Sequence, residues 1–158
     1  MPHRDCGLRV VPSQPDRENS AEFSGYKHIF KIGGENSIGA ENFDKILYSF
    51  ESARAFNGDG ETFLKIRLKP EALNRVLKNP SKNPASTWIP GTSLNAYQKK
   101  AAEFAFNCYE KRLSPEFSER HLFYFRRIRS GQWSDIYFAE VLIYDTKEHI
   151  LYYADTKI

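Results

Sequence analysis

Sulfur is scarce in this chain: its 158 residues include two cysteines, Cys6 and Cys108, and one methionine. Two thiols so far apart make neither a disulfide framework nor a zinc site, which needs closely spaced pairs. Cys108 sits in a helical pattern and is expected to pack as a small hydrophobe. Long apolar runs are missing too. The leader MPHRDCGLRVVPSQPDRENS has only a short island, Leu8 to Val11, far below a signal peptide or a membrane span. The expectation is no membrane, and a protein of the reducing cytoplasm or one delivered to a target cell without a Sec-type signal. Charge of one sign is also lacking: 23 Lys plus Arg against 20 Asp plus Glu leave +3, which excludes a dedicated duplex-DNA binder. No internal repeat is visible. The length allows one domain.

Aromatic residues are what the chain has in excess. Nine Tyr, twelve Phe and two Trp make 15% of it, which suits a β-rich core and a stacking site equally. Residues 1–24 are polar and aperiodic and read as a flexible arm, with a single α+β domain over 25–158. Tyr26 to Ile32 reads as a half-buried strand stopped by Gly33-Gly34. Asn42 to Phe50 is ambiguous, since Phe43, Ile46 and Leu47 have helical spacing while Ile46-Leu47-Tyr48 suits a strand. Ser52 to Phe56 reads as helix, ended by Asn57-Gly58-Asp59-Gly60. Glu61 to Lys69 alternates as a surface strand, with Leu64, Ile66 and Leu68 on one face. Pro70 opens a short helix, and Asn79 to Gly91 is a loop carrying Trp88. Leu94 to Leu113 is predicted as the longest helix, with Leu94, Tyr97, Ala101, Phe104, Ala105 and Cys108 on one stripe. A C-terminal antiparallel β-meander follows: His121 to Arg129, Asp135 to Tyr144, and Ile150 to Asp155. The layout is α+β: N-terminal strand and helix segments, one long helix, then the meander.

One residue stands out chemically. Ile136 to Tyr144 is apolar on both faces, as a central strand should be, yet Glu140 sits in its middle on the side of Phe138 and Leu142. A lone buried carboxylate costs several kcal/mol unless something offsets it. Arg126, Arg127 or Arg129 on the preceding strand could neutralise it. Alternatively, Glu140 opens into a cleft as a general base or oxocarbenium stabiliser. A two-residue turn at Ser130-Gly131 places His121 opposite Glu140, and a longer turn moves that partner. His28 alternates with Tyr26 and Phe30 and shares their face.

Tyr26-Lys27-His28, then Leu47-Tyr48-Ser49-Phe50-Glu51-Ser52-Ala53, then Thr62 to Leu68, and a glutamate on a late strand occur in that order. In this the chain resembles the ADP-ribosyltransferase fold of the diphtheria-toxin-like class. His28 is followed by Ile29-Phe30 where that family has Gly-Thr. The resemblance implies a toxin- or effector-like enzyme that cleaves NAD and transfers ADP-ribose to a protein or nucleic-acid acceptor, without a metal. It implies that His28 hydrogen-bonds the adenosine-side ribose, that Tyr48, with Ser49 beside it, stacks on nicotinamide, and that Glu140, with Glu148 behind it, holds the nicotinamide ribose. A fixed carboxylate would stabilise the positive charge that develops on that sugar.

Leu142-Ile143-Tyr144-Asp145-Thr146-Lys147-Glu148-His149 resembles the last strand of barnase-type ribonucleases. That likeness implies His149 as general acid, with Glu119 as base and Arg126, Arg127 and Arg129 as phosphate cations. A third reading has no chemistry: a protein-binding inhibitor or immunity protein, served by aromatic strands and an arginine patch. Oligomeric state is open.

Overall fold

A computed structural model describes residues 42–52, 59–72, 88–106, 114–133 and 135–158. Within them the chain forms one antiparallel sheet of six strands, β1 (Phe43–Glu51), β2 (Gly60–Leu68), β3 (Ile89–Pro90), β4 (His121–Ser130), β5 (Ile136–Asp145) and β6 (Ile150–Lys157), and one helix, α1 (Ala96–Ala105). The strands lie in the order β1-β2-β6-β5-β4-β3. The chain is therefore broadly α+β, though mostly sheet. The strand at Tyr26–Ile32, the arm, positions 53–56 of the helix expected from Ser52, Cys6, Cys108 and His28 lie outside the described residues. Ser52 itself continues from β1 without helical structure, its N–H donating 2.9 Å to the Glu61 carbonyl.

The ambiguity of Asn42–Phe50 has a physical origin. β1 pairs with β2 through two register shifts, which make Asp44 and Leu47 extra residues in the ladder. Each bulge lengthens the repeat from two residues to three, so Phe43 and Ile46 reach one face at helix-like spacing. Bulges also suit an edge strand, where they blunt the open backbone. β2 is no surface strand: it is flanked by β1 and β6, and Glu61, Thr62 and Phe63 are buried along with Leu64, Ile66 and Leu68. Its Lys65 stays near solvent by laying its ammonium 5.7 Å from the Tyr152 ring.

Asn95 starts α1, because its side chain accepts from the Gln98 N–H while Gln98 reciprocates at the Asn95 N–H. That capping box leaves Leu94 before the helix, and it turns Ala101, Ala102 and Ala105 inward. Tyr97, expected on the buried stripe, is exposed.

The two faces of the sheet have separate cores. On one, α1 packs through its alanines against Phe63, Phe123, Ala139, Val141, Ile143 and Ala154, with Tyr48 and Tyr152 at the margin. On the other, Phe43, Ile46, Leu64, Ile66, Tyr124, Leu142, Tyr144, Leu151 and Tyr153 cluster, with Trp88 against them. The meander follows the sequence expectation closely, and β5 lies between β4 and β6, buried on both faces from Ala139 to Asp145.

Candidate functional site

Glu140 is buried, with its side chain 8% accessible. It lies between Arg127 on β4 and Asp155 on β6, and Thr62 of β2 pairs with Asp155 in the same rank. The hairpin loop spans residues 131–135, closed by the Gly131 N–H donating 2.8 Å to the Asp135 carbonyl. It is longer than a two-residue turn, so His121 faces Asp145 and not Glu140.

A bulge in β4 between Phe125 and Arg127 makes Arg126 an extra residue. Two successive arginines consequently address one carboxylate: the Arg126 Nε lies 3.6 Å and the Arg127 Nε 4.0 Å from Glu140 Oε1. The Tyr153 hydroxyl hydrogen-bonds to Glu140 Oε2, and Asp155 Oδ2 lies 2.9 Å from the same hydroxyl. One hydroxyl hydrogen thus stands between two carboxyl groups. Burial first, and then the charges of Asp155 and Glu140, push the Tyr153 phenol far above its ordinary range. Glu140 is offset by guanidinium and phenol groups, the structural alternative read from the sequence.

The residues of the transferase reading do not share a face. Directly paired residues project to the same side of a sheet. Tyr48, paired with Lys65 and through it with Tyr152, belongs to the helix-covered side. Ser49, paired with Leu64 and through it with Tyr153, lies on the side of Glu140. Tyr48 packs edge-on against Phe63 at 5.6 Å between ring centroids. Glu148 is in the β5–β6 turn, beyond the last residue of β5, whereas Glu140 is in the middle of that strand.

The nuclease set divides between two ends of the sheet. Glu119, which accepts from the Thr92 hydroxyl at 2.9 Å, precedes β4, and His149 sits in the β5–β6 turn with φ 55° and its Nδ1 3.4 Å from the Tyr144 hydroxyl. Arg126 and Arg129 lie toward the far end of β4, where Arg129 stacks 5.6 Å over Phe138. At a rise of roughly 3.3 Å per residue, Arg129 is about 26 Å along the strand from its start.

Two features escaped the sequence reading. The first is Asp145, the last residue of β5, which is 3% exposed. Its Oδ2 takes Arg120 at 2.6 Å and faces His121 Nε2 at 3.4 Å, while Oδ1 accepts the Lys147 N–H at 2.9 Å and the Glu148 N–H at 3.1 Å. Burial works to raise this carboxyl, but Arg120, the two turn N–H groups and His121 outweigh it and hold it below the usual carboxylate range.

The second is the loop end of the β4–β5 hairpin. The large hydrophobic side chains exposed among the described residues are Trp133 (84%), Ile158 (57%), Tyr97 (42%) and Tyr137 (37%), and all four are tied to this end. Tyr97 bonds the Ser130 hydroxyl, Trp133 is in the loop, and the Ile158 N–H donates 2.9 Å to the Tyr137 carbonyl. Trp133 had a sequence signal: an indole between Gln132 and Ser134 in a hairpin loop has no apolar neighbours to bury it.

No family model, curated protein or solved structure matches this chain. Among the described residues no helix is long and apolar enough to cross a membrane. No group of three or more His, Cys, Asp or Glu among them is placed to hold a metal ion.

Proposed function

We propose that this chain is a protein-binding module of the inhibitor or immunity kind, which grips a partner protein with the loop end of its β4–β5 hairpin. One observation carries the reading: every large hydrophobic exposed among the described residues is at that end, around Trp133. Singly scattered apolar groups are normal, but their concentration marks an interaction site. Trp and Tyr beside Arg is also the composition that dominates binding energy at interfaces. The side chain of Arg127 is 59% accessible there, and Arg129 lies two residues on, so the fitting partner has an acidic rim around a pocket for the indole.

The transferase and nuclease readings have less geometric support. The first needs Tyr48 and Glu140 in one cleft, and they project from opposite faces. The second needs cations near Glu119 and His149, and the proposed ones lie at the far end of β4.

A photo-crosslinking amino acid at position 133 tests the binding reading, with a control at Glu71 beyond the other end of β2. The expected result is a protein adduct specific to position 133, and a purified partner whose affinity falls on the order of tenfold or more with Arg129→Glu. Adducts at 71 but not at 133 would overturn the reading. So would release of nicotinamide from NAD that disappears in Glu140→Gln, which would restore the transferase.

A further inference from the structure

The hairpin's other end holds a different arrangement. Ser118 lies in the turn before β4, three residues ahead of His121, and its Oγ is 2.6 Å from His121 Nδ1. The opposite ring nitrogen, Nε2, faces Asp145 Oδ2 at 3.4 Å. An ionised carboxylate only accepts, so the imidazole hydrogen belongs on Nε2. Nδ1 is then the lone-pair nitrogen, and the Ser118 hydroxyl donates to it. Nucleophile, base and orienting carboxylate therefore stand in series, the relationship by which an activated hydroxyl is recognised.

Sequence and register make this series rigid. His121 and Asp145 are directly paired across β4 and β5. The Ser118 carbonyl accepts both the His121 N–H at 3.2 Å and the Gly91 N–H at 3.1 Å, which pins the turn. Gly91 fits only without a side chain, because a Cβ there would lie 2.7 Å from the Ser118 nitrogen. Asp145 is fixed by Arg120 and two turn N–H groups, so the imidazole has a settled partner. Arg120 supplies one more element: its Nε is buried and has no hydrogen-bond partner. A buried cationic N–H left unpaired in the same turn is the kind of donor that a developing oxyanion would satisfy.

We propose that Ser118, His121 and Asp145 form a hydrolytic site for small carboxylic esters with good leaving groups, at the opposite end of the β4–β5 hairpin from the Trp133 surface. In acylation the Ser118 Oγ bonds to the ester carbonyl carbon while its proton passes to His121 Nδ1. The carbon–oxygen bond to the leaving group then breaks, and that oxygen takes the proton from His121. In deacylation His121 accepts a proton from water, whose oxygen attacks the acyl-serine. The Ser118 oxygen leaves and recovers the proton. The sum is ester plus water to acid plus alcohol, and the protein is unchanged. Asp145 is a positioning residue, acting through the tautomer of His121.

The test uses the full chain in two ways. A fluorophosphonate, followed by peptide mass mapping, should place its phosphonyl group on Ser118 in the folded protein and not after denaturation. Hydrolysis of 4-nitrophenyl acetate should fall on the order of 100-fold or more in Ser118→Ala and in His121→Asn, while Glu103→Ala, an exposed position on α1, leaves it unchanged. Asp145→Asn should lower the rate and change its pH profile, which a merely structural aspartate would not do. No adduct on Ser118, or unaltered hydrolysis in a folded Ser118→Ala, would overturn the proposal. Because the labelling is read on the unsubstituted protein, a variant that fails to fold does not spare it. Loss of partner crosslinking at position 133 would leave this site standing, and the reverse also holds.

Discussion

Glu140 and Asp145 are both buried carboxylates on β5, five residues apart; Glu140 faces two arginines of β4, and Asp145 faces Arg120 in the turn just before that strand. They are satisfied by different means. Glu140 lies mid-strand, where the ladder already uses the backbone N–H groups of its neighbours, so only side chains remain to meet it: Arg126, Arg127 and Tyr153. Asp145 lies at the strand's end, where the chain turns and the Lys147 and Glu148 N–H groups point back at it. A carboxylate in mid-strand recruits a bulge and a phenol, and one at a strand end organises a turn. The comparison predicts that Asp145 is built into the fold, while Glu140 is replaceable.

Substitution by leucine should break the symmetry most clearly. Asp145→Leu removes the acceptor of two backbone N–H groups and the partner of Arg120, and is expected to cost about 3 kcal/mol. Glu140→Leu puts an apolar side chain beside Leu142 and Tyr124, leaves Arg126 and Arg127 able to reach water, and should cost about 1 kcal/mol or less. Urea unfolding midpoints at unchanged slope measure both. Equal losses would mean that the two carboxylates are satisfied alike, contrary to their partners.

Next in size is the response to acid. Asp145 has its folded value held below the usual carboxylate range, so it favours the folded state once it is ionised. Its contribution is complete above about pH 4 and is lost as pH falls through the depressed folded value. Asp145→Asn cannot titrate, and its unfolding free energy should change less steeply with pH over that acid window than the unsubstituted chain's. Parallel acid limbs would contradict the assigned role of Arg120 and the turn.

How much of this was legible depends on where each charge sits. The meander was readable because its strands are near-continuous apolar and aromatic runs parted by turn residues, a signal that does not depend on two-residue alternation. β1 was not, because its bulges at Asp44 and Leu47 replace that period with a helix-like one. Glu140 was conspicuous as a charge among Ala139, Val141 and Leu142, and its neutralisation by β4 arginines was one of two readings left open. Asp145 was not conspicuous, because an aspartate before Thr-Lys-Glu looks like any solvated turn residue. Its burial comes from Arg120 and His121, some 25 positions earlier in the chain, and only the register of β4 against β5 brings them there. The same register, set by a hairpin loop longer than Ser130-Gly131 implied, moved His121 away from Glu140.

Base should act on the side of the sheet that carries Glu140. Burial first, and the Asp145 charge second, push the Tyr144 phenol up to about 12. Raised above its unfolded value of about 10, Tyr144 contributes stability that is complete below that pH and is lost as pH climbs through the folded value. Tyr153 shifts in the same direction and adds to the effect. Tyrosinate absorbance should therefore lag behind that of free tyrosine and then rise together with loss of the near-ultraviolet circular dichroism. Tyr144→Phe keeps the packing, removes one of the delayed hydroxyls, and should move unfolding to higher pH.

The smallest effect is expected where the exposed surface is most conspicuous. Trp133 is 84% exposed, so Trp133→Ala gives up almost no buried area and should change the unfolding free energy by no more than about 0.5 kcal/mol. Its value lies in the contrast with Asp145→Leu at the other end of the hairpin. A residue that stabilises the fold and a residue that grips a partner are distinguished by which measurement moves. For Trp133 that measurement is partner affinity, with a loss of about 2 kcal/mol or more expected of a central indole. A folded Trp133→Ala with full affinity would shift the binding surface away from the loop and leave Tyr97, Tyr137 and Ile158 to account for it.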